Sequence, residues 1–163
     1  MAKRATFSFR GELNDFLPPA RRHASFTYKF QGKPSLKDAI EAIGAPHGEI
    51  DVIIRNGVSA TFGERLADMD AVVVLPRAEG ECITCGIHLI PKTNSAPRFV
   101  LDVHLGKLAV YLRLLGFDTL HNNHLDDPAI AAYAKNENRI VLTRDVALLK
   151  NGAISRCRWI RSR

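Results

Sequence analysis

The chain has 163 residues, 46% of them hydrophobic and 25% charged, and carries a formal net charge of +6 at pH 7. That length allows one medium domain or two small ones, and the composition is that of a soluble globular protein. No apolar run approaches the length of a membrane span, and the N-terminal residues hold no apolar segment of the secretory type. An odd number of cysteines, 3, does not make a paired disulfide framework, so a cytoplasmic setting is the default. The charge is uneven. Residues 1–97 hold 12 Lys/Arg against 11 Asp/Glu, whereas residues 98–163 hold 11 against 6. Positive charge around a few acids suits a polyanion that is cut or bound with metal. It equally suits a solvated basic surface.

In chain order, ATFSFRG (5–11) alternates as a strand does. SFTYKFQGKP (25–34) places Phe26, Tyr28 and Phe30 on one face and then turns at Gly32 and Pro34. Ser35 is an N-cap with Asp38 three residues on, a weakened capping box. Leu36, Ala39, Ile40 and Ile43 share one helical face, and Gly44 fits the position just past a helix end. Asn56-Gly57 separates two apolar runs, a hairpin signal, and DMDAVVVLP (68–76) reads as a continuous buried strand.

Strand, strand, helix, hairpin and final strand make an order that resembles a β-grasp, or ubiquitin-like, domain over residues 1–76. The run PSLKDAIEAIGAPHGEIDVIIRNGVSATFGERLADMDAVVVLP resembles the sulfur-carrier branch of that fold. Such carriers end in a Gly-Gly, and this segment instead runs on into PRAEGEC. The resemblance therefore implies a module that positions RNA or contacts a protein partner. Residues 77–97 lose apolar periodicity and read as a linker. Within it, Cys82 and Cys85 form a single CxxC with His88 three residues further on. Structural zinc needs four ligands, so two reduced cysteines are expected there rather than a zinc site. Cys157 is expected in buried packing.

From residue 98 strands and helices alternate, the pattern of a parallel sheet covered by helices, so the chain is α/β overall. FVL (99–101) is a strand; Leu105, Leu108, Ala109, Leu112 and Leu115 form a helical stripe that Gly116 stops. FDTLH (117–121) is a second strand, and DDPAIAAYAKNEN starts a helix with an acidic cap and Pro128 in its first turn. RIVLT (139–143), a short helix in RDVALLK, and CRWIR (157–161) complete the alternation.

In an open α/β sheet ligands bind beyond the carboxyl ends of the strands. Asp102 follows the first strand, Asp126 and Asp127 follow the second across a short loop, and Asp145 follows the third. Gathered closely, these acids repel one another unless a cation lies among them, and all-oxygen sites suit Mg2+ or Mn2+. Each of the four also fits a helix cap, and capping does not exclude metal binding. His104, His121 and His124 lie near the same edge, either as polar surface residues or as part of a His/carboxylate site.

The run RFVLDVHLGKLAVYLRLLGFDT, followed by DDPAIAAYAKNENRIVLTRD, resembles the Mut7-C RNase domain, a PIN-like nuclease family in which an N-terminal ubiquitin-like segment also occurs. The resemblance implies a metal-dependent ribonuclease in residues 98–163. Asp102, Asp126, Asp127 and Asp145 take the catalytic and metal positions, and Lys107, Arg113 and Arg144 are substrate-binding candidates. It further implies an acid after the fourth strand, a final helix and a zinc ribbon with two CxxC pairs. This chain ends at WIRSR, so a truncated domain with a partly uncovered sheet face is expected, and with it a homo-oligomer. The alternative is a non-catalytic RNA- or protein-binding module. A phospho-acceptor receiver needs an acid pair near the first strand, and a haloacid-type phosphatase needs Asp-x-Asp there. Asp102-Val103-His104 meets neither requirement.

Overall fold

The computed structural model describes residues 2–76, 87–90 and 96–161, in two compact units, Met1–Pro91 and Lys92–Arg163. Cys82 and Cys85 lie outside the described residues. Among those described, no helix is long and apolar enough to cross a membrane.

In the first unit β1 (Lys3–Phe9) and β2 (Phe26–Phe30) pair antiparallel, with Phe7 opposite Phe26. The helix α1 (Leu36–Ile43) buries Leu36, Ala39, Ile40 and Ile43, the face its periodicity predicts. Its capping box is complete. The Ser35 hydroxyl accepts from the Asp38 amide at 3.1 Å, and the Asp38 carboxylate accepts from the Ser35 amide at 3.2 Å. Such a cap contributes about 1 kcal/mol. β3 (Ile50–Arg55) and β4 (Val58–Ala60) form the hairpin, with Asn56 and Gly57 both at positive φ, 51° and 81°, as a tight primed turn requires. β5 (Ala71–Pro76) then pairs parallel to β1 and antiparallel to β3. The resulting order, β2-β1-β5-β3-β4 with one helix, is the β-grasp arrangement.

β5 differs from the continuous buried strand read from sequence. Val72 and Val74 are buried and their neighbours are not. Residues of alternating direction cannot all be buried where one face of the sheet meets the core. The strand also begins later than expected. Asp68 and Asp70 use their carboxylates on the backbone amides of Arg4 and Ala67, both at 2.8 Å, which holds them in the preceding turn.

Residues 87–90, inside the segment read as linker, lie along β3. A register shift between Ile50 and Val52 marks a bulge at Asp51, the device that re-aims a side chain out of its ladder. The Asp51 carbonyl accepts from the Leu89 amide at 2.7 Å, and its carboxylate accepts from the Ile90 amide at 3.1 Å. His88 Nδ1 lies 2.7 Å from the other carboxylate oxygen.

In the second unit β6 (Phe99–Leu101), β7 (Thr119–Leu120), β8 (Ile140–Thr143) and β9 (Cys157–Trp159) form an all-parallel sheet of order β7-β6-β8-β9. Helices α2 (Gly106–Leu114), α3 (Asp127–Asn136) and α4 (Val146–Leu149) connect the strands. Leu101 and Leu142 meet Leu105, Leu108, Ala109 and Leu112 on one face of the sheet. Val100 and Val141, alternating with them, are fully buried on the other, where α3 crosses β6 and β8. Leu115 was expected on the buried stripe and is 73% exposed. The helix closes one residue earlier: Gly116 and Phe117 donate to the Arg113 and Leu112 carbonyls, both at 3.0 Å, with Gly116 at φ 87°. This Schellman closure carries Leu115 off the face. Cys157 is buried, as expected.

The amino ends of the strands are joined by ions. Buried Arg139 bonds Asp118 at 2.7 Å and Glu137 at 2.8 Å, and donates to the Phe99 carbonyl at 3.1 Å. Arg98 bonds Asp118 at 2.7 Å. Hydrogen bonds from Arg139 and then Arg98 hold the Asp118 carboxyl below its ordinary range.

Two outcomes are expected. Asp51→Ala should speed amide exchange at Ile90 by about 10-fold to 100-fold, the loss of one charge-assisted bond, with β1 and β5 amides unchanged. Asp118, with a depressed folded pKa, adds stability above the ordinary carboxylate range that is lost as pH falls through the folded value. Asp118→Asn should therefore lower the melting temperature at pH 7, and the gap from wild type should close as pH falls below the ordinary carboxylate range and through the depressed folded value.

Candidate active site at the carboxyl edge of the parallel sheet

Numbered within the second unit, the strand order is second, first, third, fourth. The chain direction across the sheet thus reverses between β6 and β8. Such a switch point opens a crevice beyond the strand ends. The register pairs Phe99 with Ile140, Val100 with Val141 and Leu101 with Leu142. The Asp102 amide continues the ladder onto the Leu142 carbonyl at 3.1 Å, which sets Asp102 beside Thr143. Asp102 is only 8% exposed and Thr143 is fully buried. The Thr143 hydroxyl donates to Asp102 Oδ2 at 2.9 Å and accepts the Asp145 amide at 2.9 Å. Asp102 and Asp145 are thus coupled through one buried hydroxyl at the switch point.

The four acids separate by what their carboxylates do. Asp126 caps α3, accepting the Ala129 amide at 2.9 Å, and Asp145 caps α4, accepting the Ala147 amide at 2.7 Å. Asp127 is the first residue of α3 and is exposed. Asp102 precedes the turn Val103–Leu105, yet its side chain makes no cap bond. Among the described residues no Lys, Arg or His pairs with it. A nearly buried carboxylate with one hydroxyl donor and no counter-charge is costly unless a cation joins it. Among the described residues, no three His, Cys, Asp or Glu side chains are gathered to hold a metal. Hard Mg2+ needs fewer protein ligands than that. It is commonly held by one or two carboxylates with waters and substrate phosphates. The pair Asp102 and Asp145 fits that donor set.

The basic candidates also divide. Lys107 and Arg144 are exposed and make no ion pair among the described residues, and Arg144 stands between Thr143 and Asp145. The Arg144 carbonyl accepts from Trp159 Nε1 at 3.2 Å, tying the turn to β9. Arg113 donates to the carbonyls of Thr119 at 3.1 Å and His121 at 3.3 Å, so it joins α2 to β7. His121 Nε2 lies 3.2 Å from the Val103 carbonyl, while His104 and His124 are exposed. Thr143, whose hydroxyl links Asp102 to the Asp145 amide, was not singled out in the sequence. It reads there as a β-branched strand residue, and its position in TRD two residues before Asp145 was the available signal.

A model of the Mut7-C ubiquitin domain matches residues 2–81, and a model of the Mut7-C RNAse domain matches residues 97–163. The second unit is of the nuclease type, and the chain carries the two Mut7-C domains in that order. Among solved structures, SAMP1 from Haloferax volcanii is 19% identical, covering 48% of this chain and 99% of its own, with a TM-score of 0.37. A second structure, of H. volcanii small archaeal modifier protein 1, is 19% identical, covers 47% and 99%, and has the same TM-score, 0.37. The β-grasp assignment of the first unit rests on its strand order. No curated protein matches the chain.

Arg113→Ala should lower thermal stability by about 1–2 kcal/mol, the worth of two bonds to carbonyls. Thermal denaturation of the two chains reads the difference.

Proposed function

We propose that the second unit is a metal-dependent ribonuclease that hydrolyses RNA phosphodiesters with Mg2+ or Mn2+ held by Asp102 and Asp145. Asp126 or Asp127, at the start of α3, would be the further acid available to the cation. The observation that carries this reading is Asp102 itself, nearly buried at the switch point with no side-chain cap bond and no basic partner among the described residues. When bound, the cation lowers the pKa of water and shields phosphate charge.

The chain's own groups do the rest. Asp102 and Asp145 supply hard anionic oxygens from adjacent strands of a rigid sheet, so their spacing survives binding. Lys107 and Arg144 hold the scissile phosphate as charge-assisted donors. The positive excess of residues 98–163, 11 basic against 6 acidic, raises the local concentration of a polyanion. The first unit serves as an accessory module for RNA or a protein partner. A second copy of the chain is the partner for the apolar outer side of α2, where Val110, Tyr111 and Leu114 are exposed. The setting is cytoplasmic, where thiols stay reduced.

The lack of a three-ligand cluster among the described residues favours one second reading, an RNA-binding module without turnover. A single assay separates the two. Under the first reading a fluorescent single-stranded RNA is cut with Mn2+, is spared in EDTA, and is spared by Asp102→Asn, whose activity falls more than about 100-fold while its melting temperature holds. Under the second, RNA is bound equally with and without EDTA, the affinity falls steeply with salt, and no product forms. Undiminished cleavage by Asp102→Asn removes Asp102 from the reaction.

A further inference from the structure

We propose that Thr143 is a positioning residue whose hydroxyl decides which oxygens of Asp102 and Asp145 are left for a ligand. The proposal rests on the metal-dependent reading of the site.

A threonine hydroxyl has one proton and two lone pairs. The Asp145 amide can only donate, and it ends on Thr143 Oγ1 at 2.9 Å, so the oxygen is an acceptor there. The single hydroxyl proton is then free for the carboxylate, and Asp102 Oδ2 lies 2.9 Å away to receive it. No water competes, because Thr143 is fully buried. Its β-branched side chain is stiff about χ1, so the hydroxyl does not wander. The bond occupies Oδ2 of Asp102, and Oδ1 has no protein partner among the described residues.

Asp145 is set by the same hydroxyl from the backbone side. With its amide tied to Thr143, it starts α4 and gives Oδ1 to the Ala147 amide at 2.7 Å. Its Oδ2 has no protein partner among the described residues. One hydroxyl therefore leaves one free oxygen on each of two acids from neighbouring strands. A valine has nearly the shape of threonine and can make neither of these bonds. A buried hydroxyl is retained only when its bonds are made, and here both are directed at the two acids.

The experiment uses the full chain, stripped of metal, and titrates Mn2+ alone, with free Mn2+ read by electron paramagnetic resonance. Thr143→Val removes the hydroxyl at constant shape, Thr143→Ser keeps it without the methyl, and Asp102→Asn is the control. Thermal melts in EDTA establish that each variant is folded, and Thr143→Ala replaces Thr143→Val if that variant is not. Expected is a loss of Mn2+ affinity of about 10-fold to 100-fold on removing the hydroxyl. Wild-type affinity should persist in Thr143→Ser, and RNA cleavage by the hydroxyl-free variant should show a lower kcat at little-changed KM. Equal Mn2+ affinity in wild type and the hydroxyl-free variant, with binding lost in Asp102→Asn, overturns the role of Thr143 alone. Equal losses in the serine and hydroxyl-free variants overturn it too, since packing and not the hydroxyl is then responsible. Absence of Mn2+ binding by the wild-type chain overturns the metal-dependent reading, and this assignment with it.

Discussion

Leu101 pairs with Leu142 across two parallel strands, and the carboxyl edge of the second unit is arranged by that pairing. One residue beyond it Asp102 lies beside Thr143, and two residues further Asp145 opens α4. A slip of one residue turns every side chain to the opposite face of a sheet. Here it would carry Leu101 and Leu142 out of their shared core and separate Asp102 from the threonine. The apolar packing that stabilises the sheet and the polar contact that defines the edge thus depend on one register. Packing sets it, because Leu101, Ala109 and Leu105 are almost wholly buried together.

The two ends of this sheet handle charge in opposite ways. At the amino ends Arg98 and Arg139 surround Asp118 and Glu137 until each carboxylate has a guanidinium. That end is electrostatically closed. At the carboxyl ends, among the described residues, the nearly buried Asp102 carboxylate has the Thr143 hydroxyl as its side-chain partner, and Lys107 and Arg144 make no ion pair. The first unit repeats the closed pattern with Asp51, whose carboxylate is spent on His88 and the Ile90 amide. Carboxylates that are fully satisfied belong to the fold, and Asp102 stands out against them.

Capping accounts for part of the acidic pattern and leaves the remainder sharper. Asp126 and Asp145 each accept the amide that a helix start leaves orphaned. A cap uses one carboxylate oxygen, so the other is retained, and a helix start at a strand end is where a ligand of a parallel sheet lies. Asp145 therefore caps α4 and keeps its other carboxylate oxygen without a protein partner among the described residues. Asp102 leads into a single tight turn and makes no cap bond, so the helix gives it no structural duty.

Much of this was legible in the chain itself. Period-two alternation, the Asn56-Gly57 turn, the Ser35 cap and the Gly116 stop are local, and backbone sterics enforce them wherever they occur. The strand-and-helix alternation after residue 98 likewise dictated a parallel sheet, with acids at its strand exits. What the chain could not reveal is which acid is spent and which is spare. Asp102, Asp126 and Asp145 look alike in sequence, and their difference arises from amides and hydroxyls that other segments bring to them. The docking of residues 87–90 on Asp51, the tie of Arg113 to β7 and the hydroxyl of Thr143 have the same origin. Each is a contact between residues distant or unpatterned along the chain, and only tertiary packing brings such partners within hydrogen-bond distance.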